Sequence, residues 1–315
     1  MKIKRQIPNY YGYIMVVVAA AFWASLGVIA RFIYAHEIDT FTLVTGRSLF
    51  SFILIAVFLL ITNRDAIKIE TNHIPKFMFF GIFGLASNFF CFLVAIKYTT
   101  VATASILLFT YPAIVCFVSA IIFKETLDRD KILALILTAI GCFFAIGGHA
   151  PKALNLNARG VLWGLGTALS MVVYTIYGNT LLKTYSSYTL CFWGFLFSAL
   201  TFIVMRPMSI VYLFTSSAYS IFMIFIAALI PTFLAYTLYI VAVDLIGPSK
   251  ASIMGNLEPV LAAVYSFVFL NETLTILQWV GILIVVFAVC LLSIKSQRTE
   301  PSRLETPSEV SEKMC

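Results

Sequence analysis

Residues 249–274 read SKASIMGNLEPVLAAVYSFVFLNETL, and residues 102–127 read ATASILLFTYPAIVCFVSAIIFKETL. The two segments lie 147 residues apart and share an Ala-Ser-Ile run, a proline (Pro112 and Pro259) and a terminal Glu-Thr-Leu. The same offset places Leu49-Phe50-Ser51 on Leu196-Phe197-Ser198. Apolar segments often match by chance, so one window alone would carry little weight. Two windows at one offset indicate an internal repeat.

The composition places this repeat in a membrane. Hydrophobic residues make up 61% of the 315 residues and charged residues 11%, and the mean hydropathy is +0.99. A soluble domain carries about a quarter charged residues, so these few charges could not cover the surface of a soluble protein. The composition therefore predicts an integral membrane protein, and the short connections leave no soluble catalytic domain.

The apolar segments are long enough to cross a bilayer, because a membrane-crossing helix needs about 20 mostly apolar residues. We predict an all-α integral membrane protein with ten transmembrane helices, near residues 12–34, 39–62, 76–97, 100–123, 131–148, 159–182, 187–206, 218–243, 249–270 and 276–294. The run after Lys2, Lys4 and Arg5 is also compatible with a signal peptide. The repeat, however, uses this run as a full transmembrane segment.

The repeat divides the chain into two halves of five helices. We predict a first repeat over residues 1–150, a second over 151–294 and a disordered cytoplasmic tail over 295–315. Because five is odd, the second half enters the membrane from the opposite side, which makes the repeats inverted. Fifteen Lys and Arg residues fall on the side of the N-terminus and four on the other. Since cytoplasmic loops are enriched in these residues, both termini are predicted to be cytoplasmic, in a multi-pass protein of the plasma (inner) membrane.

Together these features resemble the EamA-type transporters of the drug/metabolite transporter superfamily. The resemblance covers about residues 12–294, and its residues are the prolines of the fourth and ninth helices, the Glu-Thr-Leu beyond each, the Glu258-Pro259 pair and Arg47 in the second helix. It implies ten helices in two inverted five-helix repeats around a central cavity, lined chiefly by helices 1, 3, 4, 6, 8 and 9. It does not imply a substrate, because family members move amino acids, nucleosides, S-adenosylmethionine and other metabolites.

Glu258 is a carboxylate near the middle of the ninth helix. A charge at the bilayer centre costs at least about 2.5 kcal/mol, so this side chain should face protein or water. Pro259 frees the carbonyl of Gly255 and loosens the helix there. Glu258 is then either a site for a proton or a substrate ammonium group, or a hydrogen-bonded residue that holds helices together. On a continuous helix Asn256 would point to nearly the opposite side.

Arg47 is the second candidate charged residue. It either binds an anionic substrate group, or its side chain snorkels to the membrane surface or pairs with Glu37 or Asp39. Other polar and aromatic residues occur on the helices expected to line the cavity. The predicted substrate-binding residues are Trp23, Asn88, Thr103, Tyr174, Tyr177, Tyr236, Ser252 and Asn256.

Several kinds of chemistry have no signal in the sequence. The three histidines fall in predicted loops, the six cysteines are scattered singly and no GxxxxGK[ST] loop occurs, so we predict no enzyme activity, catalytic residue, metal site or cofactor. The net charge of +7 reflects the cytoplasmic bias of Lys and Arg, so no nucleic-acid partner is needed to explain it. The predicted partners are a small-molecule substrate and the lipid bilayer, and a homo-oligomer is left open.

The sequence thus predicts a secondary-active transporter of small organic metabolites that exports amino acids or related compounds by alternating access. The alternative within transport is a multidrug or nucleotide-type metabolite transporter. From another class, a lipid scramblase or a membrane scaffold stays open. A deep polar cavity closed to lipid would separate the transporter from these two.

Overall fold

The computed structural model describes residues 8–34, 36, 38–99, 101–150, 157–270 and 273–299, and every regular element among them is helical. The α-helices are α1 Tyr10–Tyr34, α2 Thr40–Thr62, α3 Ile74–Phe79, α4 Ser87–Tyr98, α5 Val101–Leu108, α6 Tyr111–Ile122, α7 Arg129–Ala145, α8 Ala158–Val172, α9 Gly178–Leu182, α10 Ser187–Met205, α11 Met208–Thr215, α12 Ala218–Ala228, α13 Ala235–Ile246, α14 Pro248–Gly255, α15 Leu257–Leu270 and α16 Ile276–Thr299. Short 3₁₀ turns cover Arg64–Ile67 and Thr71–His73.

Eight helical stretches of the described residues are long and apolar enough to cross a membrane. They are Tyr10–Ala30, Thr40–Thr62, Thr71–Tyr98, Thr103–Ile122, Ala158–Leu182, Ser187–Met205, Ala218–Ile246 and Pro248–Phe269. The two remaining expected helices correspond to α7, of 17 residues, and to the apolar stretch Ile276–Leu292 of α16. The start of the predicted disordered tail is helical in the structure, because α16 continues through Lys295 to Thr299. Residues 300–315 of that tail lie outside the described residues.

Three of the long stretches contain a π-helical segment near their middle. These segments are Phe80–Ala86, Val173–Tyr177 and Leu229–Leu234, and in the first of them the Ser87 N–H bonds to the carbonyl of Ile82. The first two pack on each other at Gly84, where a Cβ would lie 3.3 Å from the Tyr174 Cα. A glycine is needed at that point because two helix backbones approach closely. Such segments frequently occur at functional sites.

Two other membrane stretches are interrupted at equivalent positions. α5 and α6 are separated by a turn at Phe109 and Thr110, and α14 and α15 by a turn at Asn256. The proline that follows each turn lacks an N–H, which removes one helical hydrogen bond. The offset of 147 residues carries Phe109 onto Asn256 and Tyr111 onto Glu258. The expected loosening at Pro259 is therefore confirmed, but the opposite-face argument for Asn256 and Glu258 fails, because the helix is not continuous between them.

Contacts between the two halves fasten the bundle at both ends of α2. At one end, the Nδ1 atom of His73 lies 2.6 Å from the Tyr185 hydroxyl, and the Trp193 Nε1–H donates to the Ile67 carbonyl at 3.0 Å. At the other end, Asp39 accepts hydrogen bonds from the first turn of α2 and pairs with Arg206 at 2.7 Å. Polar contacts thus join the halves on both sides of a largely apolar core.

Candidate functional site

A cluster of aromatic rings in the core has Tyr236 of α13 at its centre. Its ring lies 5.1 Å from Trp23, 5.5 Å from Phe89 and 5.3 Å from Tyr174, each in an edge-to-face arrangement. The Tyr236 hydroxyl donates to the Asn88 Oδ1 at 3.1 Å, and the Tyr174 hydroxyl donates to the Tyr236 carbonyl at 2.8 Å. Buried tyrosines generally need such partners, so these hydrogen bonds orient the Tyr236 and Tyr174 rings within a cluster that draws on four membrane stretches.

Arg47 of α2 belongs to this cluster and is only 5% exposed. Its Nε donates to the Thr232 Oγ1 at 3.0 Å, and its guanidinium carbon lies 4.7 Å from the centre of the Phe89 ring, which is a cation–π distance. Asp39, one of the two partners expected for Arg47, instead caps α2 and pairs with Arg206 at the exposed helix end. Glu37, the other expected partner, lies outside the described residues.

Glu258 occupies the first turn of α15 and is partly exposed. It interacts electrostatically with Tyr111, Cys142 and Tyr236, and it makes no hydrogen bond or ion pair with any described residue. The hydrogen-bonded structural role therefore finds no partner in the described part of the chain.

The interrupted ninth stretch supplies further polar atoms to this region. Asn256 is 1% exposed and Ser252 is fully buried. The Ser252 Oγ donates to the Ser249 carbonyl at 2.9 Å, but the Asn256 Oδ1 and, on α1, the Trp23 Nε1 have no hydrogen-bond partner among the described residues. Buried polar atoms are usually paired. An unpaired acceptor and an unpaired donor near one aromatic cluster are therefore available to a ligand.

A hydroxyl network beside the cluster includes residues that the sequence did not single out. The Tyr111 hydroxyl donates to the Ser252 carbonyl at 3.3 Å, and the Tyr239 hydroxyl lies 3.1 Å from the Thr175 Oγ1. One signal could have revealed Tyr111, since the repeat places it at the position of Glu258. Thr175 had no comparable signal beyond being a polar residue within an apolar helix.

The predicted residues divide into those that the structure assembles and those that it leaves apart. The cluster and the adjoining turn contain Trp23, Arg47, Asn88, Tyr174, Tyr236, Ser252, Asn256 and Glu258. Thr103 is buried in α5. Tyr177 packs on Phe79, which is 40% exposed. Since a π turn holds more residues than an α turn, Tyr174 and Tyr177 do not share a face.

The described residues hold no group of three or more His, Cys, Asp or Glu side chains that could bind a metal ion. The cysteines Cys91, Cys116, Cys142 and Cys191 are buried and unbridged. The centre of the bundle thus contains aromatic and polar side chains and the two charged residues Arg47 and Glu258, and apolar helices enclose it. Small-molecule binding sites have this composition.

Long apolar helices around a polar centre make this chain a multi-pass membrane protein. The EamA-like transporter family matches residues 10–147 and again residues 158–294. The chain therefore belongs to the EamA-like transporter family and contains two of its repeats. It is a membrane transporter and not an enzyme.

Individual relatives agree with this assignment. The uncharacterized inner membrane transporter YicL of Salmonella typhimurium is 28% identical over 291 residues, which is 91% of this chain and 96% of that protein. An uncharacterized transporter of Haemophilus influenzae is 26% identical, over 90% of this chain and 94% of its own. One solved crystal structure superposes with a TM-score of 0.77 at 13% identity, covering 92% of this chain and 99% of the other. This last likeness supports the fold alone.

Proposed function

We propose that the protein is a secondary-active transporter of small organic metabolites that exports amino acids or related compounds by alternating access. In this proposal ten transmembrane helices form two inverted five-helix repeats, residues 1–150 and 151–294, with both termini in the cytoplasm. The plasma (inner) membrane is the location, as the name of the Salmonella relative, an inner membrane transporter, supports. The matching interruptions at Phe109 and Asn256 support a structural repeat.

One arrangement carries the proposed substrate class: the buried Arg47 lies against the aromatic cluster, 4.7 Å from the centre of the Phe89 ring, and Glu258 lies two residues beyond the buried Asn256. A free amino acid has a carboxylate, an ammonium group and a side chain. Arg47 would bind the carboxylate, because guanidinium–carboxylate hydrogen bonds are charge-assisted, and Glu258 would bind the ammonium group. The unpaired Trp23 Nε1 and Asn256 Oδ1 would add one donor and one acceptor, and the rings would contact an apolar side chain.

The way the halves are fastened supports alternating access. The contacts of His73 and Trp193 lie at one end of α2 and the Asp39–Arg206 pair at the other, so the halves are in contact at both ends of the bundle. Opening one set of contacts at a time exposes the cluster to one compartment. Inverted repeats permit this because the two halves can exchange conformations.

The test is counterflow in proteoliposomes that contain the purified full-length chain. Vesicles loaded with an unlabelled mixture of common L-amino acids should take up the same mixture in tritiated form, and the label retained should then be identified. Arg47→Gln should lower apparent affinity about 10- to 100-fold, since hydrogen bonds to charged groups contribute about 1.5–3 kcal/mol. Tyr265→Phe, far from the cluster on the partly exposed side of α15, serves as the matched control and should behave as wild type.

The same vesicles test the competing functions. A chain that exchanges no amino acid but moves nucleotides or a lipophilic dye would replace the proposed substrate class. Accelerated exchange of a fluorescent phospholipid between the leaflets would make the protein a scramblase. A metabolite profile of cells with and without the gene identifies the physiological compound.

A further inference from the structure

A pocket lies at the end of the bundle where α2 begins, apart from the central cluster. It has a volume of about 320 Å³ and is lined by Ile38, Asp39 and Thr42 at the start of α2, by Arg206 after α10, and by the C-terminal part of α11. Asp39 and Arg47 are eight residues apart, which is about 12 Å along a helix. The pocket is therefore separate from the cluster, and its volume is at the lower end of the range for ligand pockets.

Arg206 presents unused hydrogen-bond donors to this pocket. Its side chain is 40% exposed, and Asp39 is the only hydrogen-bond partner of the guanidinium group among the described residues, at 2.7 Å from Nη1. A guanidinium group has several N–H donors, so most of them are free for a ligand. The guanidinium carbon lies 5.6 Å from the centre of the Phe41 ring and 5.7 Å from that of the Tyr212 ring, which are cation–π distances. The rings thus position a group that can bind an acid group bidentately.

The hydroxyl groups of the pocket can only accept hydrogen bonds from a ligand. The Thr42 hydroxyl donates its proton to the Asp39 Oδ2 at 2.6 Å. The Thr215 and Ser216 hydroxyls donate to carbonyls of α11 at 2.9 and 2.6 Å. A hydroxyl group has one proton and two lone pairs, so each oxygen keeps acceptor capacity only. Thr215 and Ser216 also stand at the C-terminal end of α11, where the helix dipole favours a cation. With the Asp39 carboxylate, these oxygens suit an ammonium group.

α11 lies between the pocket and the central cluster. The Ser209 Oγ of α11 lies 2.8 Å from the Thr45 Oγ1. Leu213 packs on Gly46, where a Cβ would lie 3.0 Å from the Leu213 Cδ1. Thr45 and Gly46 directly precede Arg47 in α2. α11 therefore covers the part of α2 that connects the pocket with the cluster.

We propose that the pocket at Asp39 and Arg206 binds a small zwitterion, with the acid group on Arg206 and the ammonium group on Asp39 and the acceptor hydroxyls. Such a molecule supplies acceptors where the pocket has donors and donors where the pocket has acceptors. Two sources have this chemistry, a free amino acid and the head group of phosphatidylethanolamine, whose phosphate would take the place of the carboxylate. For the amino acid the inference rests on the proposed transport function, because the pocket then holds the substrate about 12 Å along α2 from Arg47.

The first experiment follows occupancy of the pocket. Ile38→Cys, in the full-length chain without its native cysteines, is reconstituted in nanodiscs of phosphatidylcholine, whose head group has no N–H donor, and its reaction with a water-soluble thiol reagent is timed. L-Leucine is the probe. Leucinamide, which lacks the carboxylate, and 4-methylpentanoate, which lacks the ammonium group, are matched controls. L-Leucine at about ten times its dissociation constant should slow the reaction about tenfold, and neither analogue should slow it at that concentration.

Variants assign the protection to the pocket. Arg206→Gln should abolish it. Arg159→Gln, which changes an exposed arginine in the first turn of α8, is the matched control and should preserve it, as should Arg47→Gln in the central cluster. The analogue series uses the intact pocket, so it remains decisive if Arg206→Gln lowers expression. Protection that survives Arg206→Gln, or equal protection by leucinamide or 4-methylpentanoate, would overturn the zwitterion site.

A second set of nanodiscs separates the two sources from each other and from the transport proposal. Slowed labelling after addition of phosphatidylethanolamine, relieved by Arg206→Gln and unaffected by L-leucine, would support the site with the lipid as its ligand. Protection by L-leucine without counterflow of the tritiated amino-acid mixture in proteoliposomes would support the pocket and reject the proposed transport function. Unchanged labelling with both L-leucine and phosphatidylethanolamine would overturn the pocket, and wild-type counterflow would then leave the transport proposal standing.

Discussion

Replacement of Gly255 by alanine tests the closeness of the two interrupted helices. A Cβ at this position overlaps the Tyr111 hydroxyl, whereas the ring carbon that bears the hydroxyl is 3.7 Å away, an ordinary contact distance. Overpacking a buried site costs about 1–3 kcal/mol. Alanine has a higher helix propensity than glycine, which stabilises the helix by up to about 1 kcal/mol and offsets part of this cost. Gly255→Ala should therefore destabilise the protein by about 1–2 kcal/mol.

A double-mutant cycle isolates the contact. Tyr111→Phe loses the hydrogen bond of the buried hydroxyl and should cost about 1 kcal/mol. In Gly255→Ala/Tyr111→Phe the added methyl group meets only the ring, so the double variant should be no less stable than Tyr111→Phe. The two substitutions should thus compensate each other by about 1–3 kcal/mol.

Stability is measured by reversible unfolding of the purified protein in mixed micelles, with all four proteins in one detergent. Gly141→Ala is a useful comparison, because its Cβ would meet the backbone carbonyl of Gly281 at 2.9 Å and no side-chain truncation can relieve it. Additive losses in the double variant, or no loss in Gly255→Ala alone, would show that Tyr111 does not lie against the break.

Four further predictions concern the site and the topology. Asn256→Ala should weaken binding of the amino-acid substrate identified by counterflow without lowering thermal stability, because the Asn256 Oδ1 has no partner among the described residues. Isothermal titration measures the affinity and a melting curve the stability. A loss of stability alongside the loss of affinity would contradict the assignment. In a cysteine-free background, the substrate should protect the Tyr174→Cys thiol from a water-soluble thiol reagent. It should not protect the Tyr177→Cys thiol, because only Tyr174 lies in the cluster. Tags at residues 1 and 315 should resist an external protease in intact cells, and cleavage of either would reject the predicted orientation. A chain truncated before Glu300 should retain expression level and counterflow, since α16 ends at Thr299; loss of counterflow at normal expression would assign the tail a function.

The sequence alone was sufficient for the membrane class, the repeat and the interruption of the ninth helix near Pro259. Each depends on properties that are local along the chain. A stretch of apolar residues needs no partner to be identified as membrane-crossing, and a proline removes its hydrogen bond wherever the helix lies. The offset of 147 residues that relates Pro112 to Pro259 is visible without coordinates. For the same reason Tyr111 could have been recognised as the counterpart of Glu258.

Only the tertiary structure decided which polar groups meet. Arg47 bonds to Thr232, 185 residues away, whereas Asp39, just before the start of the same helix, pairs with Arg206. Tyr239 meets Thr175 across 64 residues. The physical reason is that helical periodicity gives a residue its depth and approximate face, whereas its partner depends on which helix packs against that face. A π segment also changes the face to which the following residues point, as the separation of Tyr174 from Tyr177 shows. The local sequence does not predict this change, because the hydrogen-bond register of a π segment also depends on the neighbouring helices.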